Sequence, residues 1–260
     1  MERDPTRACL RVLGASLIAL GAAAGAAELS RDDVVRMLAQ SPPADFSGKD
    51  LSDLDLSGLD FRKASLRGTN LFASKLVSAD LRGADLFGAN LNGAWLMGAD
   101  FTGAQLRDAS LLSVVVLGGQ VKKLPIFKDA NLRGARMIAD LPAADLSGAD
   151  LSQARIGVDI RNQGMGQMRT DLTGANLAGA NFEGADLNRT LLSFANLRNA
   201  NLRGANLFRA RLEGANLEGA DVAGADFTEA DLSGTVLRGA GGLAEAKGLE
   251  HAANADQAVR

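Results

Sequence analysis

Carboxylates are the first side chains in this sequence with the means to do chemistry. Asp60, Asp80 and Asp100 stand at intervals of twenty residues. Two carboxylates held at a fixed separation are the apparatus of glycoside hydrolysis, one acting as acid and the other as nucleophile or base. The remaining reactive types are scarce. The chain has one Cys (Cys9), one His (His251), one Trp (Trp95) and no Tyr. One Cys and one His build neither a Cys/His zinc site nor a disulfide framework. A Ser-His-Asp or Cys-His arrangement would have to draw on His251, within the last ten residues. No metal or cofactor site follows from these residues.

The elements that must position those acids are set by a repeat. Leu or Phe recurs every five residues from Phe46 to Leu111, fourteen units without a slip, and again from Leu172 to Leu237, with Val222 the one substitute. Ala stands two residues before most centres (Ala79, Ala84, Ala89, Ala94, Ala99, Ala104). Asp or Asn lies between, and Gly is frequent two residues after. Ala84-Asp85-Leu86-Phe87-Gly88 shows the unit. Ala (46), Leu (40) and Gly (30) together dominate the 260 residues. A period of five fits neither the 3.6 of a helix nor the 2 of a strand. It fits a chain that turns a corner every five residues and closes a square coil in twenty. Centres and the preceding Ala point inward and stack on their equivalents one coil later, with coils about 4.8 Å apart. Thirty-four centres, at 8.5 coils, give a rod of roughly 40 Å.

This unit resembles that of the pentapeptide-repeat family, written A-(D/N)-L-x-x, over most of residues 44–240. The resemblance implies an all-β fold, a right-handed quadrilateral parallel β-helix, with short capping helices at its ends.

Interruptions define three expected loops, at 117–126, 138–143 and 157–170. Residues 1–27 resemble a secretory signal peptide: Arg3, Arg7 and Arg11, an apolar stretch from Val12, and Ala24-Gly25-Ala26 at a cleavage-site spacing. The apolar run is short for a membrane span, and the mature chain offers no membrane segment. Residues 28–43 predict a capping helix with Ser30 as N-cap, Asp32 and Asp33 in its first turn and Pro42-Pro43 as its stop. Lys49, Leu54 and Leu59 replace the usual Ala and predict an irregular first coil. Residues 241–260 predict a C-terminal helix or partly ordered cap.

Outward positions are mostly polar. Asn176, Asn196 and Asn216 predict an amide ladder, and Arg62 and Arg82 are placed to compensate the Asp60, Asp80, Asp100 column. One face departs from this. It directs Val77, Trp95, Met97, Val115 and Leu117 outward in successive coils, with Phe72 and Leu112 beside them. Such a patch marks a protein partner, self-association or a loop folded over it.

Three function classes follow. The first is a non-catalytic exported scaffold or protein-binding module, periplasmic in location, with an unidentified partner. The second comes from the resemblance, since some family members bind DNA gyrase as duplex mimics. Residues 44–117 carry nine acids and seven bases, and so do 168–240, a poor imitation of a duplex bearing one charge about every 1.7 Å. The third is a carbohydrate-active enzyme on a parallel β-helix. Here the period itself generates every acid pair, whereas a catalytic pair is expected at a break, and none is seen there. Nucleic-acid binding has only Lys122-Lys123 for support, without a stacking aromatic. A net charge of −3 predicts no broad basic or acidic surface.

Overall fold

The computed structural model describes residues 29–40, 43–116, 123–158 and 169–259. The expected leader, Leu117 and most of the 157–170 loop lie outside them. From Asp45 onward the chain winds as a four-sided coil. Each side contributes one residue to a parallel bridge with the coils above and below, as in Asp45↔Ser65↔Asp85↔Gln105. We number the sides one to four by their first bridge residues, Asp45, Asp50, Asp55 and Asp60.

The bonding explains the period. Within each unit the centre and the corner donate forward, as Leu86 N–H to Gln105 O (2.8 Å) and Gly88 N–H to Arg107 O (2.9 Å). The bridge residue donates backward, Gln105 N–H to Ala84 O (2.9 Å), and a turn bond from Ala89 N–H to Leu86 O (3.0 Å) folds the corner. Five residues therefore satisfy their backbone at each corner. Centres and small residues fill one continuous core from Phe46 to Leu237. Phe101 and Phe127 stack in successive coils, 4.9 Å between ring centroids. Two Thr in the small inward position direct their hydroxyls to carbonyls: Thr69 donates to Phe46 O and Thr235 to Leu212 O, both at 2.8 Å. The outward ladders form as well. Asn196 donates to Asn176 and Asn176 to Asp145, each at 3.1 Å.

The N-terminal end is covered by α1 (Arg31–Ala39). Ser30 and Asp33 form a reciprocal capping box, and Val34 is fully buried against the first coil. Arg31 reaches further. Its guanidinium donates to the Asp55 carbonyl and, at 3.3 Å, to the Ser57 carbonyl. One coil later the equivalent carbonyls, Lys75 and Val77, accept the amides of Leu56 and Gly58. Arg31 thus supplies the two donors that a preceding coil would have supplied. The first coil is regular, contrary to the expectation drawn from Lys49, Leu54 and Leu59. Leu54 and Leu59 pack against the core under this cover.

Two further expectations are corrected. Residues 138–143 form no loop. Strand β1 (Ser110–Val114) pairs in parallel with β2 (Arg136–Ala139), and a register shift between Leu112 and Val114 leaves β2 one residue shorter. The coil cuts that corner, so Leu141 becomes the next buried centre, four residues after Met137. Among the described residues the C-terminal segment, 241–259, contains no α-helix. Its bridge residues are Gly241, Lys247, Ala253 and Val259, six apart instead of five. The extra residue per side is taken up in wider corners, two of them 3-10 turns at Leu249–His251 and Ala255–Gln257. Ile126, placed in the first expected loop, is a bridge residue of the fourth side.

Candidate interaction face

Every departure from the five-residue step between Asp45 and Gly241 falls at a corner of the third side. The step from Val115 to Ile126 is eleven residues, from third side to fourth. The step from Arg136 to Asp140 is four and that from Arg155 to Asp171 is sixteen, both from second side to third. Along this side lie Asp55, Lys75, Trp95 and Val115, then Asp140, Asp171, Leu191 and Arg211.

The expected patch is gathered here but is smaller than the sequence implies. Phe72 and Trp95 are exposed (48% and 40%), and Lys75 lies with its ammonium 5.8 Å from the Trp95 ring centroid. Val77, Leu112 and Val115 are half-buried. Met97 does not point freely outward: it is 4% exposed. The chain returns from the insertion at Lys123, whose carbonyl accepts the Gly98 amide at 2.7 Å, and Leu124 packs against the core beside it. The returning residues Lys123 and Leu124 therefore lie beside the corner that holds Met97. Leu117 is outside the described residues. One exposed aromatic was missed. Phe194, 64% exposed, takes a corner position where glycine is usual, and its ring lies over Gly214 in the next coil.

The middle of this side is a hollow of about 370 Å³, lined by Val114, Ile138, Asp140, Arg169, Asp171 and Leu191 among others. Asp140 and Asp171 are bridge partners across the shortened and lengthened corners. The sequence showed no acid pair at a break, because 140 and 171 meet only once both irregular steps are counted. Partial desolvation, then the like charge of Asp171, raises the Asp140 carboxyl above the ordinary carboxylate range. Asp60 shows the opposite case. Hydrogen bonds from the Arg62 side chain and backbone, with the Arg62 charge, lower it to about 2. Stacked carboxylates recur at this ladder spacing along the rod, Asp60↔Asp80 included, so separation alone marks no catalytic pair. Among the described residues no group of three His, Cys, Asp or Glu is placed to hold a metal ion, and no helix is long and apolar enough to cross a membrane.

The pentapeptide-repeats family model matches in eight copies, at residues 44–71, 64–103, 74–111, 126–156, 168–204 and 205–240. Among solved structures the chain is similar to HetL, a pentapeptide repeat protein involved in heterocyst differentiation regulation from the cyanobacterium Nostoc sp. The identity is 27%, over 89% of this chain and 100% of that one, with a TM-score of 0.40. A pentapeptide repeat protein from the Arabidopsis thaliana thylakoid lumen is 34% identical over 42% of this chain and 66% of its own, with a TM-score of 0.26. QnrB1, a plasmid-mediated fluoroquinolone resistance protein, is 20% identical over 66% of this chain and 83% of its own, with a TM-score of 0.29. Among curated proteins no match was found.

Proposed function

This chain belongs to the pentapeptide-repeat family, and we propose that it is a non-catalytic protein-binding module that docks its partner on the third side of the coil. The observation that carries this reading is the confinement of all three irregular steps to the corners of that side. A solenoid accepts insertions anywhere on its surface, and their restriction to one face is the pattern of a binding face. The same side presents Trp95 and, at its corners, Phe72 and Phe194. Exposed aromatics of this kind anchor protein interfaces.

The reading includes export, supported by the basic, apolar and small-residue order of residues 1–27, with the periplasm as destination. It takes the coil as right-handed, the hand that the family resemblance implies. A duplex mimic fits the surface less well, because the Asp60 and Asp80 carboxylates are engaged by Arg62 and Arg82 at 2.6 Å. Phosphate-like charge along a rod needs acids free of such partners.

The test is a pull-down from a periplasmic fraction with the wild-type chain, a Phe72→Ser/Trp95→Ala variant and an Arg67→Ala control on another side. The third-side variant is expected to lose partners that the control retains. An identical partner set for all three overturns the assignment of the face.

A further inference from the structure

The third side carries a feature of another kind toward its C-terminal end. Arg169, Arg189 and Arg209 are twenty residues apart and line, with Arg211, one open hollow of about 370 Å³. The next position in the series is Glu229, which accepts a hydrogen bond from Arg209 Nε at 2.7 Å. The Arg209 guanidinium also lies 4.8 Å from the Phe208 ring centroid. A carboxylate and an aromatic face hold this guanidinium in place. Arg211 has Asp231 within electrostatic reach.

Arg189 is different. It is half-buried between the other members and makes no ion pair among the described residues. Several arginines on the rod are paired, among them Arg67 with Asp85 at 2.9 Å and Arg203 with Asp221 at 3.0 Å. Like charges stacked in neighbouring coils repel, and partial burial sharpens the repulsion. Backbone conformation adds to the cost. Arg189 and Arg209 both hold φ of +56°, the region in which glycine occupies most such corners of this chain. An arrangement that is unfavourable in both charge and backbone becomes favourable when an anion sits among the guanidinium groups.

We propose that Arg169, Arg189, Arg209 and Arg211 form a binding site for a small phosphate-type oxyanion, inorganic phosphate or a soluble phosphate monoester. Guanidinium groups meet such oxygens in paired, charge-assisted hydrogen bonds. The hollow lies at the lower end of the size range of small-molecule sites. The site does not rest on the protein-docking reading, since it requires no partner chain.

The experiment is calorimetric titration of the full chain with inorganic phosphate and with glycerol phosphate, at constant ionic strength. Saturable binding in the millimolar range or tighter is expected, weakened about tenfold or more by Arg189→Ala and by Arg209→Ala. Arg189→Lys keeps the charge without the fork and is expected to fall between. Arg238→Ala, outside the hollow, is the control. Without phosphate, Arg189→Ala is expected to melt at or above the wild-type temperature, which establishes that the variant folds. Absence of saturable binding by the wild type, or equal binding by wild type, Arg189→Ala and Arg238→Ala, overturns the proposal.

Discussion

Aspartate serves two opposed purposes in this molecule, and the difference lies in what stands beside each one. Asp60 has Arg62 within hydrogen-bond reach, and its carboxyl is held near 2. Its contribution to stability is complete above the ordinary carboxylate value and is lost as the pH falls toward 2. Asp140 has Asp171 instead, and its carboxyl is raised. The folded chain then holds that proton more tightly than the unfolded chain does, so stability declines as the pH rises from the ordinary carboxylate value through the raised one. Asp140→Asn removes the like charge and offers an amide donor of the kind that Asn176 gives Asp145. The variant is expected to melt above wild type at pH 7, with the gap closing in acid. A melting temperature at or below wild type at pH 7 refutes this account. Residue roles inside the regular units were legible from the sequence, because a five-residue step alone places Leu86 inward and Asp85 outward. Met97, the Asp140–Asp171 pair and the arginine series were not. Their surroundings depend on how many residues each insertion adds before the chain regains register, although the twenty-residue spacing of Arg169, Arg189 and Arg209 was there to be read.

The elements that differ from expectation are those where the period changes. The β1–β2 pair absorbs a missing residue by a register shift, which no local pattern around Met137 announces. The last coil has a period of its own. Gly242, Gly248 and Asn254 recur every six residues, each with positive φ, and Ala246, Ala252 and Ala258 do the same on the inner side. This hexad was visible in the sequence, but the weaker apolar content of Ala-rich units resembles a helix. A matched pair of substitutions tests the packing. Gly239 and Gly248 both hold positive φ (+65° and +68°), but a side chain at 239 meets nothing within 4 Å. At 248 it would lie 2.6 Å from the Thr228 backbone nitrogen. Gly239→Ala is expected to cost about 1 kcal/mol, the backbone term alone. Gly248→Ala is expected to cost more, about 2–4 kcal/mol as strain and overpacking add. Chemical denaturation measures both, and equal losses would show that the final coil does not press on the one before it.

At the scale of the molecule the structure is a rod whose coils contact only their neighbours, so its two ends are its vulnerable parts. Arg31 and α1 close one of them. Residues 241–259 close the other. Removing residues 241–260 uncovers the fourteen-unit run with its carbonyls and amides unpaired, and an uncovered edge of this kind pairs with other chains. The truncated chain is expected to elute as oligomers or to aggregate where the full chain does not, as light scattering after size exclusion will show. A monodisperse truncated species contradicts that role. The general architecture was legible because one unit, repeated, specifies a whole stack. The irregular third side was legible only in outline, since it arises where repetition fails.

The change from five to six residues per side has a geometric consequence for growth. Two lattices stack without limit only if their repeats are commensurate. A coil of five-residue sides finds its match in any other such coil, including one on a second molecule. The last coil, with Gly241, Lys247, Ala253 and Val259 as its corner marks, stays in step with the coil beneath it by bulging its corners outward. A further five-residue coil laid on top would meet the same amides and carbonyls, but with the bulged corners standing out beyond its own. The last coil is therefore a dislocation built into the chain, and any coil laid against it must accommodate the same widened corners.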